Sequence, residues 1–167
     1  MAFTNTSTQE LHSIIFSFFH FIILSFPLMI TYNSYGSVMP TLNERGITEW
    51  LRRVAESHGR RVGDINYVFC NDEEILSLNR QYIGHDYYTD HIGFDYSAGN
   101  ILSGDIYIGI ETVATNAELF GKTYDDELHR VIVHGLLHLV GIKDKTPEER
   151  AIMEAAENQA LTMLNPL

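Results

Sequence analysis

The sequence has only one cysteine, Cys70, among its 167 residues. A single thiol cannot close an intramolecular disulfide, so the small disulfide-stabilised secreted domains are excluded, and the chain fits a reducing compartment. Basic residues are also scarce, because 11 Lys and Arg stand against 22 Asp and Glu and give a formal net charge of -11. This balance excludes a globally basic nucleic-acid binder, so an anionic substrate would have to be attracted locally.

Charged residues make up 20% of the chain, whereas hydrophobic residues make up 45% and aromatic residues 11%. Enough apolar surface is therefore present to bury a core, which excludes intrinsic disorder and collagen-like or low-complexity architectures. The length is that of one domain.

Lysine and arginine are absent before Arg45, although residues 14–30 form a long apolar run. Such a run could be a short transmembrane helix or the core of a signal peptide. It lacks a basic flank, however, and Pro27 lies inside it. We therefore expect residues 1–28 to be an apolar extension outside the fold, with a membrane anchor as the alternative, and residues 29–167 to form a single domain.

Downstream of Met29, the hydrophobic periodicity alternates between strands and helices. The expected strands are 30–35, 64–70, 91–96 and 101–110, and the expected helices are 47–58, 72–82, 111–120, 125–140 and 147–164. Strands are interleaved with helices in the first part, whereas only helices follow in the second. This order predicts an α+β fold with a small mixed four-stranded sheet and about five helices.

The chemistry concentrates on the helix that ends before Gly141. His134 and His138 lie four residues apart in the apolar segment VIVHGLLHLVG, so both imidazoles occupy one helix face and could share a metal ion. The pair alone is weak evidence, because the chain has eight histidines. Two of them could instead be satisfied by backbone or carboxylate partners.

The residues after the pair strengthen the metal hypothesis. Gly141 can end the helix in the left-handed conformation and turn the chain back, and Asp144 follows shortly afterwards. Two imidazoles from a helix and a returning carboxylate give three ligands and an open fourth position, which is typical of a catalytic zinc site. The spacing H-x-x-x-H-x-x-G-x-x-D therefore predicts a site for one zinc ion on a helix of the C-terminal half, with His134, His138 and Asp144 as ligands.

Two segments of the chain match known family patterns in order. The residues that fit H-G-x-L-H-L-x-G-x-D-H are His134, Gly135, Leu137, His138, Leu139 and Gly141. The segment from Leu78 to Phe94 is similar to L-N-x-x-Y-R-x-K-D-x-x-T-D-V-L-S-F. The chain thus resembles the YbeY family of zinc-dependent endoribonucleases from about Met29 to its C-terminus.

The resemblance implies an α+β fold with a zinc ion in a cleft, a cytoplasmic bacterial setting and a single-strand-specific endoribonuclease activity. The implied process is ribosomal RNA maturation, in particular late processing of the 3′ end of 16S rRNA, with ribosome assembly or quality control. The implied partners are single-stranded or ribosomal RNA and the small ribosomal subunit or its proteins.

Two departures from the family bear on the mechanism. Asp144 occupies the position of a third histidine ligand. A carboxylate cancels one unit of the metal's charge, so bound water should be less acidic and harder metals should compete better. Ile83 occupies the position of an arginine implicated in catalysis, and Arg80, one helical turn earlier, is a candidate catalytic substitute.

Other residues could extend the site. His85 and His91 could line the cleft, or could have a surface or packing role. Glu127 could orient an imidazole, although the helix dipole favours an acid in a first turn in any case. The most basic stretch, from Glu44 to Arg61, carries five arginines against three glutamates and could contact RNA, or could be a solvated face.

We therefore expect a metal-dependent hydrolase of phosphodiester bonds in single-stranded RNA, in which zinc polarises a phosphoryl oxygen or supplies an activated water. One alternative is a membrane-anchored zinc metallopeptidase. Gly135 counts against it, because zinc proteases carry their general-base glutamate at this position. The other alternative is a non-catalytic ribosome-binding assembly factor with a structural metal, which Ile83 favours.

Overall fold

The computed structural model describes residues 29–84 and 86–164. Its strands are β1 (Ile30–Tyr35), β2 (Arg61–Cys70), β3 (His91–Asp95) and β4 (Ile101–Gly109). Its helices are α1 (Glu44–Ser57), α2 (Asp72–Leu78), α3 (Ile110–Phe120), α4 (Tyr124–Val140) and α5 (Pro147–Thr162), and a π-helical turn, Asn79–Ile83, extends α2. The predicted α+β class, with a small sheet and five helices, is confirmed.

The predicted apolar extension, residues 1–28, lies outside the described part of the chain. Its position relative to the fold, and the single domain over 29–167, therefore stay predictions. Among the helices between residues 29 and 164, residue 85 excepted, none is long and apolar enough to cross a membrane.

The strands form one mixed sheet in the order β1-β2-β4-β3. The first three strands in this order run parallel, and β3 pairs antiparallel with β4 at the edge of the sheet. Their register places His91, the first residue of β3, opposite Ile108. Helix α4 packs across β3 and β4, so this edge of the sheet faces the predicted metal helix.

Alternation along β2 sends side chains into two apolar clusters, one on each face of the sheet. Tyr67 and Phe69 belong to the larger cluster, which α1, α4 and α5 cover. Val68 and Cys70 belong to a smaller cluster that contains Ile75 of α2. The central strand is therefore buried on both faces, as expected for a strand with parallel neighbours on both sides.

Helix α4 approaches the sheet closely because Gly135 has no side chain. A Cβ at this position would lie 2.7 Å from Cγ2 of Ile106 in β4, which is closer than real contacts allow. The helix begins after Thr123, whose Oγ1 accepts a hydrogen bond from the N–H of Asp126. It ends at Gly141, whose φ of 108° is the predicted left-handed conformation.

Two helix boundaries differ from the predictions by more than two residues. Helix α1 begins one turn earlier, at Glu44, because Oδ1 of Asn43 accepts a hydrogen bond from the N–H of Gly46 and caps the helix. The helix predicted over 72–82 changes to a π-helical turn at Asn79 and ends at Gly84, with a φ of 76°. Such one-turn π segments often occur near functional sites.

Candidate metal centre

Helix α4 brings His134 and His138 together, because side chains four residues apart lie on one face of a helix. Their Nε2 atoms are 3.0 Å apart, and their rings are perpendicular. Both side chains are largely buried, with 15% and 27% of their surfaces exposed. The two Nε2 atoms therefore face each other in a site that is largely shielded from solvent.

The other ring nitrogen of each histidine is already hydrogen-bonded. Nδ1 of His134 lies 2.6 Å from Oε1 of Glu157, and Nδ1 of His138 lies 2.9 Å from the carbonyl oxygen of Ile142. Carboxylate and carbonyl oxygens only accept, so we assign the proton to Nδ1 in each ring and the lone pair to Nε2. Two lone pairs this close repel each other unless a proton or a metal ion lies between them, so the pair can hold a metal ion.

Asp144 joins the pair through the turn at Gly141. Its Oδ2 lies 3.4 Å from Nε2 of His138 and 3.7 Å from Nε2 of His134. The structure thus brings together the three residues that the spacing predicts as ligands. They offer two imidazole nitrogens and one carboxylate oxygen, a donor set that suits zinc and other divalent transition metals.

A third histidine lies in the same cluster. His91, His134 and His138 each offer a ligand atom, and these atoms all lie within 4.8 Å of one another. The sequence left His91 open between lining the cleft and a surface or packing role, and the structure packs its ring against both histidines of α4. His85 lies outside the described residues.

Glu157 contacts the cluster, although the sequence interpretation missed it. It is buried on α5, and its two oxygens bind Nδ1 of His134 and, at 2.8 Å, Nη1 of Arg130. A signal for it exists in the helical spacing, because Met153, Glu157 and Ala160 occupy one face of α5 and all three are buried. An acid on a buried helix face indicates a specific partner.

Burial and the charges around the cluster shift the pKa values of the two α4 imidazoles in opposite directions. Burial lowers the pKa of His134, but the hydrogen bond and charge of Glu157 outweigh it, so this pKa lies above its usual value. Burial and then the nearby His134 and His91 hold the pKa of His138 below its usual value. For Glu157, burial raises the pKa, yet the hydrogen bonds of His134 and Arg130 bring it below its usual value. Glu157 is therefore ionised at neutral pH.

The cluster borders a cavity of about 380 Å³. Its polar lining includes Asp90, Glu127, Arg130, His134, Asp144 and Glu157. Burial, the largest effect, raises the pKa of Glu127. Among the described hydrogen bonds, the Nδ1 atoms of the three cluster histidines pair with Glu157, the carbonyl of Ile142 and Asp90, so none of these bonds involves Glu127. Several carboxylates in one cavity attract a cation.

Arg80 forms an ion pair outside this cluster. Its Nε lies 2.6 Å from Oδ1 of Asp86, and the two side chains are 58% and 73% exposed. This described ion pair links the π-helical turn to the segment that leads to Asp90 and His91. Among the described interactions, none joins Arg80 to the predicted ligands.

The basic stretch from Glu44 to Arg61 is partly used within the fold. Arg45 pairs with Glu49 at 3.0 Å. Two other arginines donate to the backbone at helix C-termini: Arg53 to the carbonyl of Met163 at 3.1 Å, and Arg60 to the carbonyl of Val140 at 3.5 Å. These contacts reduce the number of cations that the stretch offers to a phosphate backbone.

The fold and the cluster together define an α+β protein with a candidate site for a divalent metal. The family model described as Endoribonuclease YbeY matches residues 30–165, and the chain belongs to the YbeY family. The resemblance expected from the sequence is thereby confirmed.

Relatives and a solved structure support the same family. Endoribonuclease YbeY of Bacteroides thetaiotaomicron is 59% identical over 136 residues, which cover 81% of this chain and 99% of the relative. Endoribonuclease YbeY of Phocaeicola vulgatus is 55% identical over 82% of this chain and 99% of the relative. The solution structure of TM1509 from Thermotoga maritima matches with a TM-score of 0.57 at 26% identity, over 81% of this chain and 89% of that chain.

Proposed function

We propose that this chain is a metal-dependent endoribonuclease that cleaves single-stranded RNA during ribosomal RNA maturation. The observation that carries the proposal is the pair of Nε2 atoms of His134 and His138, 3.0 Å apart, with Oδ2 of Asp144 at 3.4 and 3.7 Å from them. Membership in a family described as an endoribonuclease supports RNA as the substrate.

His134, His138 and Asp144 would hold the metal. A bound divalent metal acts as a Lewis acid toward a phosphoryl oxygen and lowers the pKa of a coordinated water. The protein fixes the donors, because Glu157 and a backbone carbonyl hold the two Nδ1 protons and prevent the rings from turning. Arg130 in turn holds the carboxylate of Glu157.

We assign zinc, one ion per chain, as the metal. Imidazole and carboxylate ligands at an open site are typical of catalytic zinc. The carboxylate of Asp144 cancels one unit of the ion's charge, so manganese and magnesium should compete better than at a site of three imidazoles.

We infer ribosomal RNA as the physiological substrate, with the 3′ end of 16S rRNA as the cleavage target. The small ribosomal subunit or its proteins would then be partners. A cytoplasmic setting is supported by the lone buried thiol of Cys70, which suits a reducing compartment.

Arg80 is our candidate for a phosphate-binding catalytic arginine. Its guanidinium is exposed and lies on the π-helical turn before the segment that carries Asp90 and His91. Asp86 neutralises it at 2.6 Å, so an RNA phosphate would have to replace this carboxylate.

A zinc peptidase is the weaker alternative. The general-base glutamate of such an enzyme would stand at Gly135, but a Cβ there would lie 2.7 Å from Cγ2 of Ile106. A side chain would therefore point into the contact between α4 and the sheet and not into the cavity. A non-catalytic assembly factor is disfavoured by the relatives, which are named endoribonucleases.

Metal analysis of the purified protein is the first test. We expect about one equivalent of a transition metal in the wild type and less than about a tenth of that in His138→Ala, because removal of a ligand destroys the site. A wild type that binds no metal after reloading would contradict the metal site.

Cleavage of a 5′-labelled single-stranded RNA is the second test, with the same strand in a duplex for comparison. We expect cleavage of the single strand, loss of cleavage in chelator or in Asp144→Ala, and recovery when zinc is added back to the wild type. His129→Phe serves as a control, since His129 packs against Trp50 away from the cluster. Cleavage that survives both chelator and Asp144→Ala would come from a contaminating nuclease.

A further inference from the structure

His91 reaches the metal cluster from the edge strand of the sheet. It is the first residue of β3, and α4 packs across this strand. The centroid of its ring lies 4.4 Å from that of His134, edge on, and 5.1 Å from that of His138, with nearly parallel planes. Its side chain is only 15% exposed. A strand and a helix that are distant in sequence thus place a third imidazole beside the first two.

The hydrogen bond of His91 is of the kind that orients metal ligands. Its Nδ1 lies 3.2 Å from Oδ1 of Asp90. A carboxylate oxygen accepts hydrogen bonds, so the proton of this bond lies on Nδ1 of His91. The lone pair then lies on Nε2. His134 has the same arrangement with Glu157, so two imidazoles of the cluster are each supported by a carboxylate.

His91 and Asp144 both depart from the family pattern: the first adds an imidazole and the second removes one. In the pattern, valine occupies the position of His91, and histidine occupies the position of Asp144. This chain therefore lacks the imidazole after Gly141 and has one on β3 instead. A largely buried imidazole in place of valine costs free energy unless its second nitrogen is also bound. An ion at the cluster provides that partner, because ligand atoms of the three histidines all lie within 4.8 Å of one another.

We propose that His91 is a third imidazole ligand of the metal ion that His134 and His138 bind. This inference rests on the proposed function only in that it requires a metal at the cluster. With Asp144, the donors are three imidazole nitrogens and one carboxylate oxygen, so water or substrate would bind as a fifth ligand or in place of the carboxylate. A neutral imidazole adds a donor without cancelling the ion's charge, so His91 compensates for the histidine that Asp144 replaces.

Variants of His91 test the proposal through metal binding. His91→Phe keeps an aromatic ring on β3 but has no ligand atom, and His129→Phe makes the same change at another ring-packed histidine. Each chain is stripped of metal, and Co²⁺ binding is followed by visible absorption and by competition with a chelator. We expect His91→Phe to weaken Co²⁺ binding by at least about tenfold and to change the d–d bands, whereas His129→Phe stays within about twofold of the wild type.

An NMR titration tests the same point without any variant. In a long-range ¹H–¹⁵N spectrum of the wild-type chain, Zn²⁺ should shift the Nε2 resonances of three histidines, His91, His134 and His138, from the lone-pair region to the ligated region. This readout stands even if His91→Phe fails to fold.

The outcomes separate this inference from the proposed function. Unchanged Co²⁺ affinity and spectrum in His91→Phe, with only two Nε2 resonances shifted by Zn²⁺, would overturn the role of His91 and leave the metal site of His134 and His138 intact. A wild type that binds neither ion would overturn the proposed metal site and this inference together.

Discussion

At the scale of single residues, Glu157 links two helices through one ring nitrogen of His134. We expect Glu157→Gln to lower metal affinity by about 10- to 100-fold, because an amide accepts the Nδ1 proton without the charge that makes His134 a better donor. Competition with a chromogenic chelator measures the change. The control is Glu118→Gln, which removes an exposed charge on α3. Equal affinities of the two variants would contradict the role of Glu157.

Arg80 gives a second prediction at this scale. If its guanidinium binds a phosphate, Arg80→Ala should lower kcat/KM for single-stranded RNA by about tenfold or more, whereas metal affinity should not change. Asp86→Asn, which removes the neutralising carboxylate, should lower KM for the same RNA. Unaltered cleavage by Arg80→Ala would mean that the pair with Asp86 is a surface ion pair of little energetic effect.

Cys70 gives a pH-dependent prediction. Burial, with a smaller effect of Glu74, raises the pKa of its thiol to about 11 from 9.0, and the side chain is fully buried. At pH 8 the thiolate fraction is therefore about 100-fold lower than in the unfolded chain, and reaction with a thiol reagent should slow by at least about that factor. The rate should rise tenfold per pH unit, approximately, until the thiol ionises. Equal rates in native and denatured protein would contradict the burial of Cys70.

At the scale of elements, the contact between α4 and β4 positions the metal helix. Gly135→Ala should destabilise the fold by about 1–3 kcal/mol, because the added Cβ would lie 2.7 Å from Cγ2 of Ile106. Gly93→Ala on β3 is the matched control, since a Cβ there has no neighbour within 4 Å. Urea unfolding measures both variants. Equal stabilities of the two variants would show that α4 can move away from the sheet without cost.

The elements that the sequence predicts best are those with local signals. Helix α5 begins at the expected residue 147, where Thr146 and Glu149 form a capping box, and Gly121 and Gly141 end α3 and α4. The start of β2 is less predictable, because Arg61 joins the strand through pairing with distant residues of β4. Strand pairing of this kind has no signature within the strand itself.

The site residues also divide into those that local spacing predicts and those that depend on contacts between distant elements. His134, His138 and Asp144 follow one another along one helix and its terminal turn, so their spacing alone brings them together. Glu157 lies 23 positions after its partner His134, and His91 comes from another strand. These two residues become visible only when α5 and β3 are packed against α4.

At the scale of the whole molecule, charge limits how RNA can approach. The chain carries a formal net charge of -11, and its most basic stretch uses Arg45, Arg53 and Arg60 in contacts within the fold. Contacts of the RNA with a metal ion at the acidic cavity, and contacts to its bases, would then contribute more to the affinity than contacts to its phosphate backbone. The chain would then bind RNA differently from proteins that use a continuous basic surface.

The salt dependence of RNA binding tests this view. A chain that neutralises one or two phosphates of a single strand should give a log K against log salt slope of about -0.7 to -1.4, whereas a basic binder with 6–10 contacts gives about -4 to -7. Fluorescence anisotropy of a labelled 2′-O-methyl strand with the zinc-loaded chain, from about 50 to 200 mM salt, measures the slope, and a gel checks that the strand stays intact. A slope steeper than about -4 would mean that a basic surface dominates binding. In that case arginines such as Arg53 and Arg60 would have to leave their backbone carbonyl partners when RNA binds, because the described fold otherwise holds them at the ends of α5 and α4.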